Sequence, residues 1–419
     1  MIKAVILIGG PMKGTRFRPL SLELPKPLFP IGGFPVVYHH IEACKKIPEL
    51  KEIILIGFYQ SSESLSKFIL NAQQQFNIPI RYLQEFQPLG TAGGIYHFRD
   101  QIAMGDPEGF LVLNADIMGD YPLVEFVEFH RKHLGEHSIL STEANKKQAH
   151  NFGCLVEDPE THKVLHYVEK PETFVSETIN CGIYIFSPAA LFKLMGEVIQ
   201  RNYHKMSEEP FAGNVESVRM GEDVLATLAN SGSLYAFKSS SFWSSIKNAG
   251  SAIYANRNVL SMYHKTHPDL LAQNGKGQPH IRGDVYIHSS AVVHPTAVLG
   301  PNVSVGSNVV IGAGARVRET ILLDGAELKD HCCILYSIIG WNCSIGMWSR
   351  VEGSRCDPNP NEEFSRPDGE SLFGDDGKLT PSITILGRNV TISGEVIVRN
   401  SIVLPHKDLG QSYKNEIIL

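Results

Sequence analysis

Residues 1–30 read MIKAVILIGGPMKGTRFRPLSLELPKPLFP, and the rest of the chain is read outward from them. Ala4 to Ile8 is an unbroken apolar run, the pattern of a strand buried on both faces. Gly9 and Gly10 end it. Lys13, Gly14, Thr15, Arg16 and Arg18 follow, and Lys26 stands between Pro25 and Pro27. Glycines let backbone N–H groups approach a ligand closely, because no Cβ intervenes. N–H groups converging on one hollow make an anion site, to which Arg and Lys add charge. Each proline fixes its own φ and biases the residue before it towards an extended conformation, so Lys26 sits on a stiff segment. The combination reads as a phosphate-binding loop.

The 419 residues exceed one ordinary core, so two domains are expected. Acidic residues number 44 against 38 basic, for a net charge of −6. No basic block stands out, which argues against a nucleic-acid partner. The seven cysteines, at positions 44, 154, 181, 332, 333, 343 and 356, form no C-x-x-C pair. They read as reduced thiols of a cytoplasmic protein rather than as a zinc site or a disulfide framework. No apolar run is long enough to span a bilayer, and no signal-peptide pattern opens the chain.

Up to about residue 145 strands and helices alternate. The spacing predicts strands over 3–8, 52–57, 79–83, 109–115 and 138–142, and helices over 35–47, 62–74, 91–103 and 121–134. That order implies an α/β domain with a mostly parallel sheet, whose ligands gather at the carboxyl ends of the strands. Asp116 follows the apolar run Phe110–Leu113. It is placed either to hold Mg²⁺ or to cap the next helix. Leu89-Gly90-Thr91-Ala92-Gly93-Gly94 is a second small-residue cluster, and Thr91 also suits a helix N-cap. Further on stand Gly153, then Glu169-Lys170-Pro171, then Asn180-Cys181-Gly182. Glu accepts hydrogen bonds from hydroxyls, Asn donates and accepts, Lys meets a phosphate and Gly admits a sugar ring. Lys170 also fits a plain surface turn before a proline.

These motifs, taken in order, resemble the sugar-phosphate nucleotidyltransferases, or NDP-sugar pyrophosphorylases. The resemblance implies a Rossmann-like nucleotidyltransferase domain. Gly9, Gly10, Lys26, Gly90, Thr91, Asp116, Gly153, Glu169, Lys170 and Asn180 would contact the nucleotide sugar. The Leu89–Ala92 stretch would pack on the nucleobase, and Lys170 would neutralise the sugar 1-phosphate.

From Ile281 the period changes. Apolar residues recur every six positions, at 281, 287, 293, 299, 305, 311, 317 and 323. A second small or apolar set runs Val285, Ala291, Ala297, Val303, Val309, Ala315 and Ile321. This hexapeptide repeat predicts a parallel β-helix, in which each rung buries its inward residues on the next. It resembles the left-handed β-helices of bacterial acyltransferases and of many pyrophosphorylases. The period resumes near 341–351 and returns over 383–403. The interruption at about 352–380 is acidic, rich in Pro and Gly, and carries Phe364 and Phe373. It reads either as a disordered insertion or as a contact element. The terminal Ile417, Ile418 and Leu419 are expected to pack. The expected domains are 1–262, a linker over 263–280, and the β-helix over 281–419.

Over the whole chain the resemblance is to the GDP-mannose pyrophosphorylases, and within them to the regulatory alpha branch. The loop Gly10-Pro11-Met12-Lys13-Gly14 is wider than the catalytic Gly-Gly-x-Gly-Thr-Arg pattern, which would displace Arg16. Active members carry a Trp-x-Asp-Ile-Gly aspartate that completes the metal site. Here the matching stretch is Trp243-Ser244-Ser245-Ile246-Lys247, with Ser245 in place of that aspartate. Magnesium would then rest weakly on Asp116, and Arg16 and Lys26 would be catalytic only in an active enzyme. The implied function is GDP-mannose binding with control of a catalytic beta-type partner, in homo- or hetero-oligomers built through the β-helix. The alternative is an active mannose-1-phosphate guanylyltransferase. An acyltransferase using His288, His294 or His331 is a third reading, and a purely assembling β-helix a fourth.

Overall fold

A computed structural model describes residues 1–11, 15–22, 24–133, 136–208, 214–355 and 372–419. Met12–Gly14 of the widened loop, Cys356, Phe364 and most of the insertion lie outside the described residues, as does the side chain of Arg16. By contact the chain divides into two compact units. One joins Met1–Lys13 to Val37–Trp243, and the other joins Gly14–Val36 to Ser244–Leu419. Residues 14–36 and 244–262, expected with the first domain, therefore group with the repeat.

The first unit holds a nine-stranded sheet. Its strands are β1 (Ile2–Gly9), β2 (Leu50–Gly57), β3 (Ile80–Gln84), β4 (Gly109–Asn114), β5 (His137–Glu143), β6 (Gly153–Glu157), β7 (Val164–Glu169), β8 (Thr178–Phe186) and β9 (Leu234–Lys238). The main order is β7-β6-β8-β4-β1-β2-β3, with β5 beside β8 and β9 beside β5. β1, β2, β3 and β4 pair in parallel. β8 runs against β4, β5 and β6, and β7 against β6, so only these two of the nine strands reverse. The expected mostly parallel sheet is present. Val5, Ile54, Val112 and Tyr184 are buried in its core together with Leu191 and Met195 of the helix Pro188–Glu208. The helix predicted over 91–103 is instead two short ones, Gly93–His97 and Arg99–Ala103, divided at Phe98.

The second unit is a stack of parallel coils. Three ladders run along it, starting at His280–Ile281, Val285–Ile287 and Val292–Val293. His280 pairs with Val298 and Val298 with Arg316, eighteen residues apart each time. The next steps, Arg316 to Cys333 and Cys333 to Arg350, are seventeen. The strict hexad therefore does not reach 323. Val303 pairs with Thr320 and Val305 with Leu322, where a period of six predicts Ile321 and Leu323. One residue is missing at the corner where Glu319 takes φ +49°. The coils also continue through 323–340, where the sequence period was not visible. Arg350 pairs with Ile397, so the insertion leaves the stack in register. Corners are turned by Asn302, Asn308, Asn342 and Asn389, all at positive φ, a region that Asn enters more readily than most residues. At the last coil Ile418 packs on the core, but Leu419 is 79% exposed, against expectation.

A long helix, Ala249–Thr266, lies on the strands Val303–Val305, Arg316–Leu322 and Cys333–Ile339. Its start is set by a capping box between Asn248 and Ser251. Ile321 is paired beside Ser304, whose hydroxyl donates to Asn256 Oδ1 of this helix at 2.6 Å. The same oxygen accepts from the N–H of Gly32 at 2.8 Å. Asn256→Ala strips the acceptor from a buried N–H and is expected to cost about 2–3 kcal/mol, read as a shifted denaturant midpoint.

Two buried histidines give the first unit a pH response. His130 shares a 2.9 Å hydrogen bond with Ser138 through Nδ1, while its Nε2 and His137 Nδ1 have no partner among the described residues. Burial holds both rings at a pKa of about 4, below the ordinary 6.5. The unfolded chain thus binds more protons between those values. Stability is expected to be full above pH 6.5 and to fall as pH drops towards 4, by about 1.4 kcal/mol per unit for each histidine. Thermal melts of His137→Gln across that window should show the shallower slope.

Candidate functional site

The strands β1, β2, β3 and β4 end together, at Gly9, Gly57, Gln84 and Asn114. Phe58 N–H donates to the Gly9 carbonyl at 2.8 Å, and Ala115 N–H to that of Leu7 at 3.0 Å. A Cβ on Gly10 would stand 2.7 Å from that of Phe58. Gly10 is therefore fixed by packing as well as being suited to a ligand. Asp116 lies in the turn between β4 and the short strand Ile117–Gly119, at the carboxyl edge where the sequence put it.

The Leu89–Gly94 cluster is closed on the segment 214–220. Leu89 and Val218 exchange backbone bonds with their neighbours: Val218 N–H meets the Leu89 carbonyl, and Ala92 N–H meets that of Val218, both at 2.9 Å. Thr91 Oγ1 accepts from Met220 N–H at 2.7 Å. Thr91 is not a helix cap; Ala92 holds the N-cap position of the following helix, without a side-chain bond. Small residues are required here because Gly90 and Gly93 press on the carbonyls of Val218 and Glu216. This partner segment carried no motif in the sequence.

Gly153, Glu169 and Asn180 are brought together. Tyr167 and Glu169 are two apart on β7 and so share a face. Tyr167 Oη donates to Glu169 Oε2 at 2.7 Å. Asn180 Nδ2 donates to Tyr167 Oη at 3.1 Å and to Tyr184 Oη at 2.9 Å, and its Oδ1 accepts from Gly182 N–H at 2.8 Å. β8 is bulged between Asn180 and Tyr184, and Gly182 takes φ +77° there, against the Asn114 side chain. Bulges beside sites re-aim side chains, and this one turns Asn180 into the network. Burial pushes the Tyr167 and Tyr184 phenols well up, and Glu169 adds to both, so they stay protonated donors. Asp116 adds its charge at Tyr184, which places it in the same neighbourhood. Gly221 packs on the Glu169 carboxylate. The segment 218–221 thus joins the Thr91 cluster to the Glu169 cluster. Lys170 follows on a turn at φ +46°, its N–H bonded to the Phe152 carbonyl at 3.2 Å.

Lys26 and Ser245 belong to the second unit. For a magnesium ion the donor chemistry is thin: Asp116 offers one carboxylate, and Ser245 offers only a neutral hydroxyl. Among the described residues no three His, Cys, Asp or Glu side chains gather as a metal-binding group. These residues do not fit an ion held by the protein alone.

Thr91→Val keeps the shape and removes the acceptor for Met220. Amide exchange in a peptide covering 218–221 is expected to accelerate about tenfold, a loss of about 1.4 kcal/mol, while Thr91→Ser leaves it unchanged.

Residues 3–259 match the nucleotidyl transferase family, and 281–418 match the GMPPB C-terminal domain. The chain is 58% identical over its full length to the mannose-1-phosphate guanylyltransferase regulatory subunit alpha-B of Danio rerio, which it covers completely. It is 59% identical to the corresponding alpha subunit of Xenopus tropicalis and 56% to that of Homo sapiens, again with full coverage of both chains. A crystal structure of a putative glucose-1-phosphate thymidylyltransferase from Bacillus anthracis superposes with a TM-score of 0.51 at 21% identity, over 61% of this chain and 94% of that one. That likeness supports the fold of the first unit. The chain belongs to the family of mannose-1-phosphate guanylyltransferase regulatory alpha subunits, the regulatory subunits of GDP-mannose pyrophosphorylase.

Proposed function

We propose that this protein binds GDP-mannose in its nucleotidyltransferase fold, turns it over little, and passes its occupancy to a catalytic beta-type subunit. The observation that carries the reading is the contrast between two sets of residues. Tyr167, Glu169, Asn180 and Tyr184 form a closed hydrogen-bonded cradle. Such a cradle is ordered before the ligand arrives, so little entropy is lost on binding. The phosphate chemistry has no matching provision: Asp116 stands with Ser245 where two carboxylates are expected. Without a firmly held cation, charge developing on the phosphates lacks a main stabiliser.

In this reading Gly9, Gly10, Lys26 and Lys170 meet phosphates, Gly90 and Thr91 border the base, and Gly153, Glu169 and Asn180 border the sugar. Asn180 does so indirectly, because both its amide hydrogens are engaged by the tyrosines. Its role is to aim Tyr167 and Tyr184. Control of a partner requires two states of the complex with different affinity for the ligand. A cytoplasmic setting goes with the cysteines, which are all free among the described residues. Burial raises the pKa of Cys332 and Cys343 to about 12, which leaves them unreactive.

Calorimetry of the isolated chain tests this directly. GDP-mannose should bind with or without Mg²⁺, and Glu169→Ala should weaken binding about tenfold or more. In parallel, GTP, mannose 1-phosphate and Mg²⁺ should yield pyrophosphate at no enzyme-like rate. Rapid release would establish the active guanylyltransferase instead.

A further inference from the structure

We propose that the stacked coils position Lys26 through a run of aromatic rings, so that the second unit sets how well this lysine meets a phosphate. The inference rests on the reading above in which Lys26 contacts the nucleotide sugar.

Lys26 opens a short turn, Lys26–Leu28, closed by Leu28 N–H on the Pro25 carbonyl at 2.8 Å and Phe29 N–H on its own carbonyl at 3.0 Å. With prolines on both sides the segment has little internal freedom. What remains is the tilt of the whole turn, and that is set by where its ends are seated. The seats are aromatic. Lys26 Nζ lies 5.8 Å from the centre of the Phe17 ring. Phe17 meets Phe29 edge to face at 5.0 Å, and both are fully buried. Phe29 meets Trp341 edge to face at 6.5 Å. Trp341 stands on a corner of the stack, where its carbonyl accepts from Asn389 N–H at 2.8 Å. The Arg388 guanidinium lies 5.5 Å from its ring. Ser344 pairs with Thr391, so Trp341 and Arg388 occupy matching places on adjacent coils, one before and one after the insertion. All of these residues belong to the same compact unit. A shift of the coil at Trp341 therefore reaches Lys26 through rigid, edge-packed rings rather than through a flexible loop. Displacements of about 1 Å suffice to spoil a charged contact.

The test is a double-mutant cycle on the full chain, with GDP-mannose titrated calorimetrically at two salt concentrations. Lys26→Ala should weaken binding about tenfold and flatten its salt dependence, since an exposed charge contact is screened by salt. Trp341→Leu should weaken it roughly three- to tenfold with the same flattening, and Trp341→Phe should recover most of the loss. The double variant should bind no worse than Lys26→Ala. Trp348→Leu, an exposed ring on the same stack that lies against His331, should bind as the parent does. Losses that multiply in the double variant, or parental affinity in Trp341→Leu, would overturn the proposal. A reduced affinity that keeps the parental salt slope would overturn it too, as that marks mere destabilisation. Parental binding by Lys26→Ala would instead remove the reading beneath it, and the inference with it.

Discussion

One oxygen atom ties the second unit together. Asn256 Oδ1 accepts from Gly32, in the segment 14–36, and from Ser304, in the coils, while its own backbone belongs to the long helix. In a buried, low-dielectric setting neither donor can be left unpaired without loss, so three distant stretches of chain must meet at once. The geometry around it is equally exacting. Gly33 holds φ +88° at the tip of the hairpin Pro30–Ile31/Phe34–Pro35, and a Cβ there would run into the Tyr286 ring. The glycine that makes the turn also lets the segment lie flat on the first coil. Arg257, one residue further along the helix, pairs with the buried Glu319 at 3.2 Å, and Asn302 holds that carboxylate from the other side at 3.0 Å. The positive φ at Glu319 is the corner at which one residue was lost from the hexad. The helix thus docks on the place where the repeat is irregular, not where it is regular.

That anchoring alters what the glycine-rich opening of the chain is. Read as sequence, residues 1–30 are one motif. In the structure they are divided between two compact units after Lys13, and the half with Lys26 is seated on coils that begin 250 residues later. The first half behaves as strand physics requires: β1 is paired on both sides, and its last glycine is aligned with the last glycine of β2. The second half has too little apolar surface of its own to fold, and it borrows the aromatic and helical surface of the repeat.

Much of this was legible beforehand, and the reasons differ by element. β1 to β4 were readable because a strand covered on both faces must be apolar throughout. The coils were readable because a period of six leaves inward positions no choice. The shift at Glu319 was not readable, because Thr320 turns its methyl inward and bonds its hydroxyl to the Arg318 carbonyl, so a polar letter fills an apolar place. Nor could the period show that 323–340 continue the stack, since a seventeen-residue coil breaks the count. Among the site residues, Glu169 and Asn180 were found from their chemistry. Tyr167 and Tyr184, which orient them, stood in the same motif but read as ordinary strand aromatics. The segment 218–221 gave no signal at all, because it acts through backbone atoms, which every sequence possesses.

The cradle's closure also bears on how binding and chemistry can part company in one fold. The hydrogen bonds of Asn180, Tyr167, Glu169 and Tyr184 begin and end among themselves and the Gly182 backbone. Each polar atom in that set is satisfied by a neighbour in the set, so the arrangement survives changes made elsewhere. A metal carboxylate has the opposite character. Its cost is electrostatic: unpaired anions brought together repel, and only the cation offsets them. Exchanging such a carboxylate for serine relieves that repulsion and disturbs none of the bonds that shape the cradle. A nucleotidyltransferase fold can therefore lose its reaction in a single step while its ligand surface stays intact, and a regulatory subunit is the use to which such a surface is suited.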